Sequence, residues 1–135
     1  MTGKILALIN GMLSKTNEQV TPVRINNKFS LNEASIDTTS EYNVCNLFKI
    51  GRIVLFEGQV KMKSNPTDIF LIHLDNSVKP IENMRGSFYQ QGVANQGGYV
   101  TVGYTEENGV RISATGVLSY QSKLIEIKLI WITEK

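Results

Sequence analysis

Cysteine, histidine and tryptophan each occur once among 135 residues, and proline three times. The single cysteine, Cys45, excludes an intramolecular disulfide and any zinc centre built on several cysteines. It lies between Val44 and Asn46 at the start of an extended run, which suits a small buried hydrophobe rather than a reactive thiol. The single histidine, His73, falls inside Phe70-Leu71-Ile72-His73-Leu74 and reads as a hydrogen-bonded structural residue. No Gly-x-Ser-x-Gly elbow accompanies it, and no metal-ligand spacing or Asp-x-Asp-x-Asp-Gly loop is present. The sequence therefore calls for no metal and no cofactor.

Charge is also scarce. Charged residues are 19% of the chain, against about a quarter in ordinary soluble domains. Such a deficit fits a surface partly covered by a neighbouring subunit. The 14 basic and 12 acidic residues give a net charge of +2 and form no basic cluster, so nucleic acid is not an expected partner. No apolar run approaches the ~18–20 residues of a membrane span. The run Ile5–Ile9 is broken by Asn10 and Gly11, too early for a signal-peptide core. The expectation is synthesis in a cytoplasm without membrane insertion.

The remaining pattern divides into an attachment segment, 1–20, and a β domain, 21–135. Ile5, Leu8, Ile9, Met12 and Leu13 recur at helical spacing and predict a short amphipathic helix over 4–15. About three turns are marginal alone, so the helix must pack on its own domain or on a larger assembly. Residues 16–43 are polar, with an edge strand near Pro22, a turn at Asn26-Asn27-Lys28 and an expected surface connection over 32–43. From Val44 onward, strands are expected at 44–50, 52–63, 68–74, 84–92, 98–105, 109–115 and 122–133. Turn signals separate them, and Asn108-Gly109 is the strongest hairpin signal because it supplies positive φ at low cost. Gly51 marks a bend or bulge, and Gly58 a kink or close backbone approach. The fold class is all-β, an antiparallel, jelly-roll-like β-sandwich with a short N-terminal helix.

Alternation assigns the faces. Val54, Phe56, Val60 and Met62 share one side, as do Val100 with Val102 and Tyr104, Val110 with Ile112 and Ala114, and Ile125 with Ile127, Leu129 and Trp131. Arg111, Ser113 and Thr115 fall on a wetter face. Strands 68–74 and 122–133 are apolar on both sides, which calls for cover from two layers. A partner subunit is a natural source of the second. Ile5, Leu8, Ile9, Ile130 and Ile132 are accordingly the expected oligomer contacts.

Catalytic signals are weak. Asp37, Glu41, Glu57, Asp68, Asp75 and Glu82 could supply a carboxylate pair, but none sits in a distinctive motif. The segment 89–99 is different in kind. It joins Tyr89, Gln90, Gln91, Asn95, Gln96 and Tyr99 with Gly92, Gly97 and Gly98 in one flexible connection. Amides hydrogen-bond to sugar hydroxyls and rings stack on pyranose faces, so these six polar and aromatic residues are the expected ligand-binding set. The plain alternative is an ordinary polar hairpin loop.

The run Phe48-Lys49-Ile50-Gly51-Arg52-Ile53-Val54, within Asn46–Val60, resembles the opening strand of the carboxy-terminal β-domain of phage tail-fibre and baseplate receptor-binding proteins. The resemblance extends over residues 42–133. It continues through Val78-Lys79-Pro80-Ile81, Val100-Thr101-Val102, the hairpin Glu107-Asn108-Gly109-Val110-Arg111-Ile112 and the closing Ile127–Ile132. The chain departs from the family in lacking a proline before Gly86 and a collagen-like or heptad stem. The resemblance implies a homotrimeric virion protein, made in the host cytoplasm and assembled with other virion proteins. It would bind a host-surface polysaccharide or protein without chemistry. Two alternatives stand beside this one: a structural baseplate or capsid-decoration subunit without a receptor, and a carbohydrate-active enzyme or lectin.

Overall fold

The computed structural model describes residues 3–5, 7–9 and 21–134. Residues 3–5 and 7–9 are helical, so the N-terminal helix is present; Met12 and Leu13, also expected on it, lie outside the described residues. Nine strands follow: β1 (Val23–Arg24), β2 (Phe29–Leu31), β3 (Val44–Ile50), β4 (Ile53–Lys61), β5 (Phe70–Leu74), β6 (Met84–Gln90), β7 (Gly97–Thr105), β8 (Gly109–Ala114) and β9 (Leu124–Ile132). They form one antiparallel sheet in the order β1-β3-β4-β9-β6-β7-β8-β5-β2. The all-β antiparallel expectation holds. The described strands form one continuous, curled sheet rather than the two separately bonded sheets of the expected jelly-roll-like sandwich.

The curl follows from the first two strands. β1 is the outermost strand beside β3, and β2 is the outermost strand beside β5. Only Ile25 and the 3₁₀ turn Asn26–Lys28 separate them in sequence. A chain that short spans at most ~3.3–3.6 Å per residue, so the two sheet edges must approach each other. Asn26 seals the junction with its side chain. Its Oδ1 accepts from the Leu47 amide at 2.9 Å, and its Nδ2 donates to Asn46 Oδ1 at 3.0 Å. The side chain thus continues a ladder that the backbone leaves after Ile25, whose N–H donates to Leu47 O at 2.8 Å.

Inside the curl lies one apolar core. Leu47, Val54, Phe56, Val60, Val100, Val102, Val110, Ile112, Ala114, Ile125, Ile127 and Trp131 are all fully buried, as their alternation predicts. Trp131 belongs to this core and is no surface platform. Its Nε1 donates to Val78 O at 2.7 Å, which fixes the extended Val78–Ile81 step against the end of β9. Phe29 closes the core from β2, its ring edge-on to Phe56 with centroids 5.6 Å apart.

Three local features differ from expectation, and Gly58 agrees with it. The Ile50–Ile53 step is a two-residue hairpin turn, with Gly51 at φ 57°, so the apolar run 46–60 folds back on itself as β3 and β4. Gly58 does mark a close approach: an added Cβ would lie 2.7 Å from Cys45 Sγ. In β5 a register shift between Phe70 and Ile72 turns both Leu71 and Ile72 into the core. That bulge, rather than a second layer, accounts for its double-sided apolar sequence. In the polar stretch 32–43, Ser35 and Ile36 are buried and Ile36 bridges to Met62. A surface connection there would have left both exposed.

Candidate ligand-binding face

Residues of β6, β7, β8 and β5 that point away from the core form a broad outward face. Registers place Arg85, Thr101, Ser113 and Phe70 in one row across it. The row beyond β6 pairs Ser87 with Tyr99, and the row on the other side aligns Gly103, Arg111 and His73. Alternation explains part of this arrangement: Thr101, Arg111, Ser113 and His73 each lie between two buried apolar residues of their own strand.

Of the six expected ligand contacts, Tyr89 and Tyr99 share this face. Tyr89 pairs with Gly97 and Ser87 with Tyr99, so the two phenols flank one serine across the β6–β7 ladder. They are 40% and 41% exposed. Tyr89 donates its hydroxyl proton to the Glu126 carboxylate, and this bond, with a small desolvation effect and the nearby charge, holds the phenol above its ordinary pKa. The guanidinium of Arg85 lies 4.6 Å from the Tyr99 ring centroid.

The other four residues do not join them. Gln90 has the parity of Phe88 and is half-buried. Its amide donates to Gln96 O at 2.7 Å, and the Gln91 amide donates to Leu124 O at 3.0 Å, so the backbone of these residues closes the loop. Asn95 occupies a turn position with φ 60°. Gln91, Asn95 and Gln96 are exposed in the connection between β6 and β7, outside the strands. The glycines also divide. Gly92 supplies positive φ in the turn, whereas Gly97 and Gly98 belong to β7. An added Cβ at Gly98 would lie 2.8 Å from the Phe88 ring, so these two permit tight packing rather than loop flexibility.

Beyond Tyr99 the face holds residues that a search for loop motifs passes over. Over β7 and β8 runs a groove with a volume of about 270 Å³, lined by Asn83, Thr101, Gly103, Asn108, Arg111 and Ser113 among others. Arg111 stacks on Phe70, 4.4 Å from the ring centroid. Its Nε is shielded from solvent and has no hydrogen-bond partner among the described residues. The wet alternation Arg111-x-Ser113 is visible in the sequence, but its alignment with Thr101 and Phe70 is a product of register. His73, expected to be a bonded structural residue, is an exposed member of the same face, edge-on to Phe70 at 6.4 Å.

The expected oligomer residues fall elsewhere. The outward sides of β3, β4 and β9 align Phe48, Leu55 and Ile130 in one row; in the next, Ile50 and Ile132 flank Ile53, which the chain itself already buries. Ile130 and Ile132 are both half-buried. Ile132 and Trp131 meet Ile5 of the N-terminal helix around a cavity of about 220 Å³ that Lys4, Ile81, Glu82 and Met84 also line. Ile5 and Ile132 are therefore neighbours within one chain, at the end of the sheet where β9 finishes and β6 begins. Leu8 is 39% exposed and Ile9 half-buried. Among the described residues no cluster of three or more His, Cys, Asp or Glu side chains converges as a metal site. No helix among them is long and apolar enough to cross a membrane. Comparison with known proteins found no matching family model, curated protein or solved structure.

Proposed function

We propose that the protein is a phage virion adhesion module that binds a host-surface glycan without chemistry, acting as a homotrimer at a tail fibre or baseplate. The observation that carries the binding part is the pair of exposed phenols, Tyr89 and Tyr99, on one rigid sheet face with Arg85 stacked beside them. Aromatic rings held at a surface by strand register, with hydroxyls and amides around them, offer both stacking and hydrogen bonding to a pyranose. The resemblance over residues 42–133 supports the virion setting. Shallow single sites are weak, and three linked copies raise avidity by ~10²–10⁴ when all engage together.

The test is adhesion of the folded protein to host cells, compared with Tyr89→Ala and Tyr99→Ala. The expected outcome is strong loss in either variant, with no cleavage of the bound polysaccharide. Adhesion equal to wild type in both folded variants removes the tyrosine face. Absence of adhesion by wild type, with a retained trimer, favours the alternative of a structural virion subunit, which the outward apolar rows of β3, β4 and β9 would also serve. Release of shortened sugar chains would favour the enzyme.

A further inference from the structure

We propose that the groove over Gly103 is an oxyanion site that takes the carboxylate of an acidic sugar unit. The inference rests on the glycan-binding reading above and names the sugar class. Four observations meet in this groove. Its lining includes the Arg111 cation, the hydroxyls of Thr101 and Ser113 and the amides of Asn83 and Asn108, but no carboxylate. The guanidinium is held over the Phe70 ring, which fixes its plane. Its Nε has no hydrogen-bond partner among the described residues, although solvent does not reach it. The floor is bare because residue 103 is glycine; an added Cβ would lie 3.1 Å from Asn83 Oδ1 and narrow the groove.

The chemistry follows from these placements. Shielding of Nε takes part of the Arg111 guanidinium out of water, and no carboxylate in the groove lining supplies a counter-charge to it. A ligand carboxylate supplies that charge and meets the donor fork of the two Nη groups, whose plane the aromatic stack preorganises. Hydroxyl and amide groups on both sides then meet sugar hydroxyls. The volume of about 270 Å³ lies just below the ~300–1,000 Å³ of ordinary small-molecule pockets, which suits one sugar unit of a longer chain. Across the Thr101–Ser113 row stands the second stacked pair, Arg85 on Tyr99. The acid-binding groove therefore continues into the tyrosine face, and a polysaccharide strand can lie across both.

The experiment is titration of the full, isotope-labelled chain with glucuronate, glucose and glycerol phosphate, followed by the amide signals of Gly103, Arg111 and Ser113. Saturable shifts with glucuronate are expected, with glucose at least about tenfold weaker because a charge-assisted bond is lost. Arg111→Gln should abolish the glucuronate response. Gly103→Val, which fills the floor without altering charge, should abolish it too, with the buried Trp131 indole signal unchanged as the check on folding. Equal response to glucuronate and glucose, tighter binding of glycerol phosphate, or a full response in folded Gly103→Val would each overturn the proposal. Host-cell adhesion without any glucuronate response overturns this site and leaves the adhesion reading standing. Glucuronate binding without adhesion to any cell supports the site and counts against that reading.

Discussion

Cys45 shows how one side chain can link packing to pH. Its sulfur lies against Gly58, where β3 and β4 come close because residue 58 has no Cβ. Burial pushes the thiol up from 9.0 to about 12, outweighing a backbone hydrogen bond with Gln59 that acts in the opposite direction. The folded chain thus keeps a proton that the unfolded chain releases above pH 9. The stability this contributes is complete below pH 9 and is lost as pH rises towards 12. Denaturant titrations of wild type and Cys45→Ala should therefore converge or cross between pH 8 and pH 10.5. A stability difference that stays constant over this range would contradict the burial of the thiol. In the opposite direction, Asp37 and Asp75 are held below 3.8, chiefly by hydrogen bonds from Thr39 and Ser77. Their contribution is present above 3.8 and fades as pH falls below it.

At the scale of elements, the junction between β1 and β2 is the part with the fewest backbone bonds to hold it. β1 contributes two residues to its ladder and β2 three. Asn26 compensates by using a side-chain amide as if it were a further peptide group. Asn26→Ala leaves the Leu47 N–H without its acceptor and should destabilise the fold by about 1–2 kcal/mol, read as a lowered thermal midpoint. Asn26→Asp keeps the acceptor and should recover part of the loss. An alanine variant as stable as wild type would show that the edges close without this residue. The same scale explains β5, where a single bulge satisfies two consecutive apolar residues that otherwise read as demanding a partner layer.

The whole molecule presents two unlike faces. One is polar and aromatic, over β5 to β8, and holds the proposed ligand sites. The other, over β3, β4 and β9, carries the row Phe48-Leu55-Ile130, with Ile50 and Ile132 beside the buried Ile53. If three copies associate through the second face, light scattering at micromolar concentration should report about three times 15.1 kDa. Ile130→Asp should then yield a folded monomer, because an unpaired charge in a desolvated contact costs several kcal/mol. Ile130 is the better probe than Ile132, which also meets the chain's own helix residue Ile5. A wild-type monomer would leave the low charge content to be explained by the chain's own surface.

The sequence by itself located the strands from Val44 onward, the core-facing residues of β4, β7, β8 and β9, and the hairpin between β7 and β8. Those properties depend on local signals: period-two alternation, Asn-Gly at the β7–β8 turn, and Trp131 aligned with three apolar residues. Tertiary structure alone decided that β1 and β2 meet opposite edges of one sheet, because partners distant in sequence leave no periodic mark. It also decided that Ser35 and Ile36 are buried in a stretch of polar composition. The candidate site divides in the same way. Tyr89 and Tyr99 were legible as a feature of one short segment, whereas Gln90, Gln91, Asn95 and Gln96 left that face through strand parity and turn geometry. The groove of Gly103, Arg111, Thr101 and Ser113 was not legible, since each residue lies in an ordinary strand. Only the registers of β6 with β7, β7 with β8 and β8 with β5 set an arginine, a phenyl ring and a bare backbone position side by side. Register is fixed by how the buried faces pack, so the outward face inherits an arrangement that the core selects.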